Sequence, residues 1–334
     1  MATEDKPPRS LPWHRLAAAA RSALGGGRRL EAARRLAGGS KKGVYRLRMD
    51  DATTAIAYVW DDSENYWPAT AGDDDLADPF APGTGPDLFA AAHTRLTALG
   101  VRVPALRLLD RTGSGLAIVE DLGGRTLEAL LADAPQAAAR AMAGLRDALS
   151  AMHAHRAPGY GKVALVDGGG RAHGTSCEQV VLARALQDLA EGAVREPRLA
   201  AARNRLTDHL LALATEVRPR TRHTVVHGEL GPDHVLVDET GIPALIDIEG
   251  TLYFDREWEH AYLRIRLGDS YDPLFDPGLD APRLALYTLA HHLTLTAGPL
   301  RLLDGDFPHR AVMRAIAEHN LRKALHHERM TTLH

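Results

Sequence analysis

Between Thr224 and Asp255 the chain reads TVVHGELGPDHVLVDETGIPALIDIEGTLYFD, and few folds accommodate that stretch. Thr224-Val225-Val226 is a β-branched run too short for a helix. His227-Gly228-Glu229 follows, and Gly231-Pro232-Asp233 has the chemistry of a turn. Val235-Leu236-Val237 is a second apolar run, and Asp238-Glu239-Thr240-Gly241 reads as a hairpin turn with glycine where a positive φ is needed. Ile242 to Ile248 is the expected return strand.

The pattern brings polar groups to the mouth of one hairpin. The loop carries His227, Glu229, Asp233 and His234, and the returning segment presents Asp247 and Glu249. Oxygen donors with one or two carboxylates suit Mg²⁺, which fills the rest of its shell with water and substrate phosphates. A neighbouring carboxylate able to accept a hydroxyl proton completes a site for phosphoryl transfer. The plainer alternative is a hairpin with ordinary polar turn residues, which makes the spacing of all six groups a coincidence. A zinc hydrolase built on His227 and His234 fits less well, because short zinc signatures place two histidines at i and i+4 on a helix.

The segment resembles the catalytic stretch of the aminoglycoside phosphotransferase family, which includes the macrolide phosphotransferases and is related to protein kinases. That family's pattern is H-x-D-x-x-x-x-N, then a hairpin, then I-D. Here it reads His227-Gly228-Glu229-Leu230-Gly231-Pro232-Asp233-His234, then Ile246-Asp247. Glu229 stands where the family has its catalytic Asp, and His234 where it has its metal-binding Asn. The resemblance implies an α+β, protein-kinase-like two-lobe fold, with an antiparallel sheet in the N-terminal lobe and a mainly helical C-terminal lobe. It also implies ATP and Mg²⁺ as cofactors and a small-molecule hydroxyl, such as that of an antibiotic or related metabolite, as acceptor. Glu229 would be the base, His227 the organiser of the loop, and Asp247 and His234 the metal contacts. A base set one methylene further out can cost about a hundredfold in rate.

Upstream, Gly38-Gly39-Ser40-Lys41-Lys42 leads into an alternating run from Val44 to Met49. A glycine-rich loop on a hairpin can close over phosphates with its backbone N–H groups. Within the resemblance it becomes the nucleotide-covering loop. Glu120 and Leu122, in the stretch leading to Gly123-Gly124, become the hinge that meets the nucleotide base. This divides the chain into a nucleotide-binding lobe, residues 1–123, and a helical catalytic and substrate lobe, residues 124–334. Kinase-like folds carry a lysine in the next strand, but Ala55-Ile56-Ala57-Tyr58-Val59-Trp60 has none. Lys41, Lys42, Arg46 and Arg48 are the nearest cations. The following helix, Pro86 to Leu99, has His93 where a partner acid is expected. These departures motivate an alternative: a degenerate kinase-like fold that binds nucleotide or metabolite without catalysis.

Composition narrows the partners. With 334 residues, 45% hydrophobic and 25% charged, the chain can hold a sizeable globular core. A formal charge of −3 argues against a nucleic-acid partner. One cysteine, Cys177, leaves no internal disulfide and no cysteine-based zinc site, which fits the cytoplasm. No apolar run approaches the length of a membrane span. The resemblance implies a small-molecule partner, and the oligomeric state stays open. Leu11 to Leu24 reads as a helix, and Leu30 to Leu36 as a short basic segment. Residues 61–85 read as an acidic surface insertion in which Tyr66 and Trp67 serve local packing or meet a ring-bearing substrate. His291-His292 and His326-His327 are poor chelates, since neighbouring helix positions face different ways.

Overall fold

The computed structural model describes residues 13–36, 39–68, 74–81, 83–113 and 115–331. A five-stranded antiparallel sheet comes first, built from β1 (Leu30–Arg35), β2 (Gly43–Met49), β3 (Thr54–Val59), β4 (Leu106–Asp110) and β5 (Leu116–Glu120) in the order β1-β2-β3-β5-β4. β3 lies at the centre and is apolar on both faces, as a strand covered on two sides must be. Ala55, Ala57 and Val59 join Tyr45, Leu47 and Met49 of β2 under α1 (Trp13–Leu24), which inserts Leu16 and Ala20. Ile56, Tyr58 and Trp60 face the other way, onto Phe89, Ala92 and Leu96 of α2 (Pro86–Ala98). The basic segment expected over Leu30–Leu36 is in fact the edge strand β1, paired with β2 from Leu30 opposite Met49 to Arg35 opposite Tyr45. Its charged side chains suit an edge, where they discourage pairing with another chain.

The remainder is mainly helical. β6 (Arg125–Thr126) leads into α3 (Leu127–Asp133), which Thr126 caps through Ala129 N–H at 3.2 Å. Then come α4 (Pro135–Ala154), β7 (Arg156–Ala157), β8 (Gly161–Lys162), α5 (Val163–Asp167), α6 (Cys177–Arg195) and α7 (Pro197–Thr215). Short strands β9 (His223–Val226), β10 (Val235–Val237), β11 (Pro243–Leu245) and β12 (Leu252–Phe254) carry the signature stretch, and α8 (Arg256–Leu267), α9 (Ala281–Leu302) and α10 (Arg310–Thr331) follow. One apolar core is continuous from Tyr58 and Trp60 through Met142 and Leu145 of α4 to Tyr253 and Leu263. A second lies among α6, α7, α8 and α9. No helix among the described residues is long and apolar enough to cross a membrane.

Gly124 shows how closely the turn after the sheet is packed. Its φ is +70°, and a Cβ there would stand 2.1 Å from the Val237 carbonyl oxygen. Gly124→Ala is therefore expected to destabilise the fold by about 2 kcal/mol or more, combining the φ penalty with backbone displacement. Chemical denaturation of the variant measures this, and an unchanged midpoint would contradict it.

The paired histidines of α9 are core residues, not ligands. His291 bonds the Trp258 carbonyl at 3.0 Å and His292 bonds Asn320 Oδ1 at 2.8 Å. Burial lowers the pKa of His291 to about 3 and of His292 to about 4. His153 is lowered to about 3 and His260 to about 4, again chiefly by burial. An unfolded chain protonates these rings below about pH 6.5, while the folded chain resists until well below that. Their stabilisation is therefore complete above pH 6.5 and lost as the pH falls. The melting temperature should drop by more than about 10 °C between pH 7 and pH 4.5. A flat profile would rule out neutral burial.

The segment between β3 and α2 is anchored rather than draped over the surface as expected. Glu64 is fully buried beside Tyr45 and Arg35. Tyr66 N–H donates to the Ser40 carbonyl at 2.9 Å and Trp67 Nε1–H to Ser40 Oγ at 2.8 Å. The Trp67 ring also packs against Gly298 and lies 5.4 Å from the Arg301 guanidinium, both on α9. Further along, buried Lys162 donates to the carbonyls of Pro79 and Ala81 at 3.4 and 2.7 Å. Phe80 packs on Trp258 and Phe254. A Cβ on Gly83 would meet the Gly250 backbone at 2.9 Å.

Candidate active site

The loop after β9 is shaped from behind. Glu259 of α8 is buried and accepts the backbone N–H groups of His227, Gly228 and Leu230. Trp258 Nε1–H donates to the Gly228 carbonyl at 3.2 Å. His227 is buried too, and its Nε2–H donates to the Ile246 carbonyl at 2.9 Å, tying the loop to the opposite arm of the hairpin. Burial, then the neighbouring His234, lowers its pKa to about 4, so the ring is neutral at pH 7. A buried neutral ring tied to a carbonyl suits an organiser better than a proton carrier.

The expected return strand from Ile242 to Ile248 is cut short. β11 ends at Leu245, and Asp247 adopts a left-handed conformation with φ 60° and ψ 46° before a tight 3₁₀ turn over Ile248–Gly250. Aspartate tolerates this region better than most residues. Leaving the strand turns the Asp247 carboxylate away from the sheet plane, and its side chain stays 47% exposed. His234 stands opposite, with Nε2 3.5 Å from Asp247 Oδ2. Its Nδ1–H donates to the Glu229 carbonyl at 2.8 Å, which leaves Nε2 facing the acid. Burial opposes the charge on His234, yet Asp247 and Asp233 raise its pKa above the ordinary value. The His227 and His234 rings are stacked, 5.9 Å apart. The Glu229 side chain is exposed.

From the sheet side comes Lys42. The register of β2 with β3 sets Gly43 opposite Val59, which places Lys42 beside the Trp60 end of the central strand. It is buried, not a solvated turn lysine. Its Nζ lies 2.5 Å from Asp247 Oδ1, is also bonded to Glu249 Oε1, and sits 5.0 Å over the Tyr58 ring. Burial alone would lower its pKa, but Asp247 and Glu249 outweigh it, so Lys42 is an ammonium. Desolvation on its own would raise the pKa of Asp247, and the Lys42 ammonium instead holds it well below the usual carboxylate range.

The other expected residues fall as follows. Gly39 has φ +68° and is packed on the Lys42 carbonyl. Ser40 is taken up by Tyr66 and Trp67, and the Lys41 ammonium lies 5.8 Å from the Trp67 ring. Gly38 lies outside the described residues. The Glu120 carboxylate is occupied by Ala105 N–H at 3.1 Å, and Leu122 is half-buried. Asp255 sits at the N-cap position of α8 without bonding the helix N–H groups. It accepts instead from Tyr287 Oη at 2.6 Å and pairs with Arg283 at 3.0 Å. Cys177, His223 and Asp255 form a buried group, but the Arg283 guanidinium on Asp255 already neutralises it. Glu249 and Asp233, two of the acids that the sequence brings to the mouth of the hairpin, are both engaged: Glu249 is 3% exposed on Lys42 and Trp60, and Asp233 pairs with Arg266 at 2.9 Å.

The match that decides the family covers residues 85–294, which fit the model described as the phosphotransferase enzyme family. The chain belongs to the phosphotransferase enzyme family. It is a small-molecule kinase of that family with its kinase-like fold. Among solved structures, it is similar to a GDP complex of an aminoglycoside 2'-phosphotransferase IIIa mutant, with 14% identity, TM-score 0.62, and 96% of this chain and 99% of that one covered. It is also similar to LicA in complex with AMP, with 11% identity, TM-score 0.60, and coverage of 94% and 98%. A thermostable mutant of the aminoglycoside phosphotransferase APH(4)-Ia in its apo form is 17% identical, with TM-score 0.58 and coverage of 88% and 95%. At these identities the likeness establishes the fold. No curated protein sequence matches significantly.

The donor set fits the divalent metal that such kinases use. A half-exposed carboxylate and one imidazole nitrogen 3.5 Å apart would supply two ligands, the rest of the shell coming from phosphate oxygens and water. Glu229 and the neutral His227 belong to the same loop, and the Glu229 backbone carbonyl lies 2.8 Å from His234 Nδ1.

Proposed function

We propose that this phosphotransferase moves the γ-phosphoryl group of ATP, delivered with Mg²⁺, onto a hydroxyl of a small molecule such as an antibiotic or related metabolite. The observation that carries the reading is the convergence of Lys42 from the sheet and His234 from the loop on one carboxylate, Asp247. Asp247 and His234 hold the metal, whose chemistry when bound is to neutralise charge on the phosphate oxygens. Lys42 binds the phosphates from the sheet side, and the backbone of Gly39 to Lys42 covers them, while the chain near Glu120 and Leu122 receives the base. Glu229 orients the acceptor hydroxyl and takes its proton as the oxygen bonds to the γ-phosphorus and the bond to the bridging oxygen breaks. His227 holds the loop to the hairpin. The names of the relatives make aminoglycosides the first acceptors to try.

The non-catalytic alternative rests on three departures: no lysine in β3, no glutamate on α2, and Glu229 in place of an aspartate. Buried Lys42, 2.5 Å from Asp247, weakens the first of these because an ammonium stands at the acid from the neighbouring strand. The test is transfer of labelled γ-phosphate from ATP with Mg²⁺ to a panel of aminoglycosides, macrolides, sugars and amino alcohols. Labelled product with at least one acceptor supports the reading. ATP binding with no transfer to any acceptor, and no slow hydrolysis, counts against it.

A further inference from the structure

A buried ammonium must keep a partner, and Lys42 has two. One of them, Asp247, is the acid that the reading above gives to the metal. If Asp247 were the sole anchor, loading the site would strand Lys42. The helix that would ordinarily offer a second acid does not. The single acid of α2 is Asp87, which lies at the surface on Arg111 at 2.6 Å. The faces of α2 nearest the sheet carry Phe89, packed on Tyr58 and Trp60, and His93, bonded to the Pro104 carbonyl.

Glu249 is built for the task. It is 3% exposed and follows Asp247 by two residues in the same 3₁₀ turn, so both acids reach one ammonium. Its Oε1 accepts from Lys42 and from Trp60 Nε1 at 3.2 Å, and its Oε2 is buried with no hydrogen-bond partner. The glutamate thus has an acceptor in reserve, and Trp60 fixes its rotamer from the end of the central strand.

We infer that Glu249 is the positioning residue for Lys42: it keeps the ammonium aimed at the phosphates when Asp247 is given over to the metal–nucleotide. The inference rests on the transfer reading above. It makes the lysine–carboxylate pair of this enzyme run from the start of β2 to the turn after β11, not from β3 to α2. It also orders loading, because in the free protein Lys42 occupies one oxygen of Asp247, so a metal ion arriving alone must displace an ammonium.

The test is nucleotide binding, read by titration with a fluorescent ATP analogue and Mg²⁺. Glu249→Gln and Lys42→Met should each weaken binding by about tenfold or more. The double variant should bind no more weakly than Lys42→Met alone, since Glu249 acts through the lysine. Trp60→Phe keeps the ring packing and drops the N–H, and should show a smaller loss of the same kind. Mn²⁺ binding without nucleotide, followed by paramagnetic resonance, should tighten in Lys42→Met. Melting curves check that each variant is folded; if Glu249→Gln is not, Trp60→Phe and Lys42→Met decide. Wild-type affinity in Glu249→Gln, or additive losses in the double variant, would overturn the inference. Failure of the transfer reading looks different: Asp247→Asn would then retain any turnover the wild type shows.

Discussion

Asp247→Asn should lower phosphate transfer about a thousandfold while leaving the melting temperature within a few degrees of wild type. The substitution keeps the size of the side chain and, like aspartate, suits the left-handed backbone at φ 60°. It removes the charge that faces both Lys42 and His234. Lys42 stays paired, because Glu249 remains, so no buried charge is stranded and the fold survives. The pairing of a large rate effect with a small stability effect is what separates a metal-holding acid from a structural one. Transfer assays beside scanning calorimetry measure both, and a variant within about tenfold of wild-type rate would remove Asp247 from the chemistry.

Glu229→Gln should lower kcat by about a hundredfold to a thousandfold, with the KM for ATP little changed. The side chain is exposed, and in the proposed transfer it serves the acceptor hydroxyl, so its loss should touch the proton of that hydroxyl and not the phosphates. Glu229→Asp is the sharper companion. His234 holds the backbone at this position through the Glu229 carbonyl at 2.8 Å, so the shorter acid cannot count on the loop moving to meet the hydroxyl. Shortening the base by one methylene should still cost about tenfold to a hundredfold. Steady-state kinetics at saturating ATP distinguishes these outcomes. A rise in KM for ATP at constant kcat would instead put Glu229 among the nucleotide contacts.

The catalytic loop was legible because its information is local. The turn at Asp238–Gly241 announces itself by composition, and the structure closes it with Asp238 Oδ1 accepting Thr240 and Ile242 N–H groups at 2.9 and 3.0 Å. α2 could be read to within a residue, since Pro86 opens it and glycine follows its end. What could not be read depends on distant partners. Lys42 and Lys41 are neighbours with the same side chain, and only the β2–β3 register buries one and leaves the other beside Trp67. Glu249 has the look of a free acid until Trp60 and Lys42, far away in the chain, are folded onto it. β1 escaped because an edge strand with charges at Glu31, Arg34 and Arg35 shows no apolar alternation. The return strand ends sooner than its pattern suggests, because Ile246 and Ile248 continue the apolar alternation past Leu245 while Asp247 between them turns the backbone.

Anchoring the connection between β3 and α2 has a mechanical outcome. Ser40, in the loop before β2, is fastened to Trp67, and Trp67 is seated on Gly298 and Arg301 of α9. Swinging the sheet away from the helices would have to unseat that indole and slide Gly83 off Gly250. If nucleotide enters beneath that loop as proposed, opening for it would be geared to α9, and a substitution at Gly298 or Arg301 should be felt as a change in how long the product lingers.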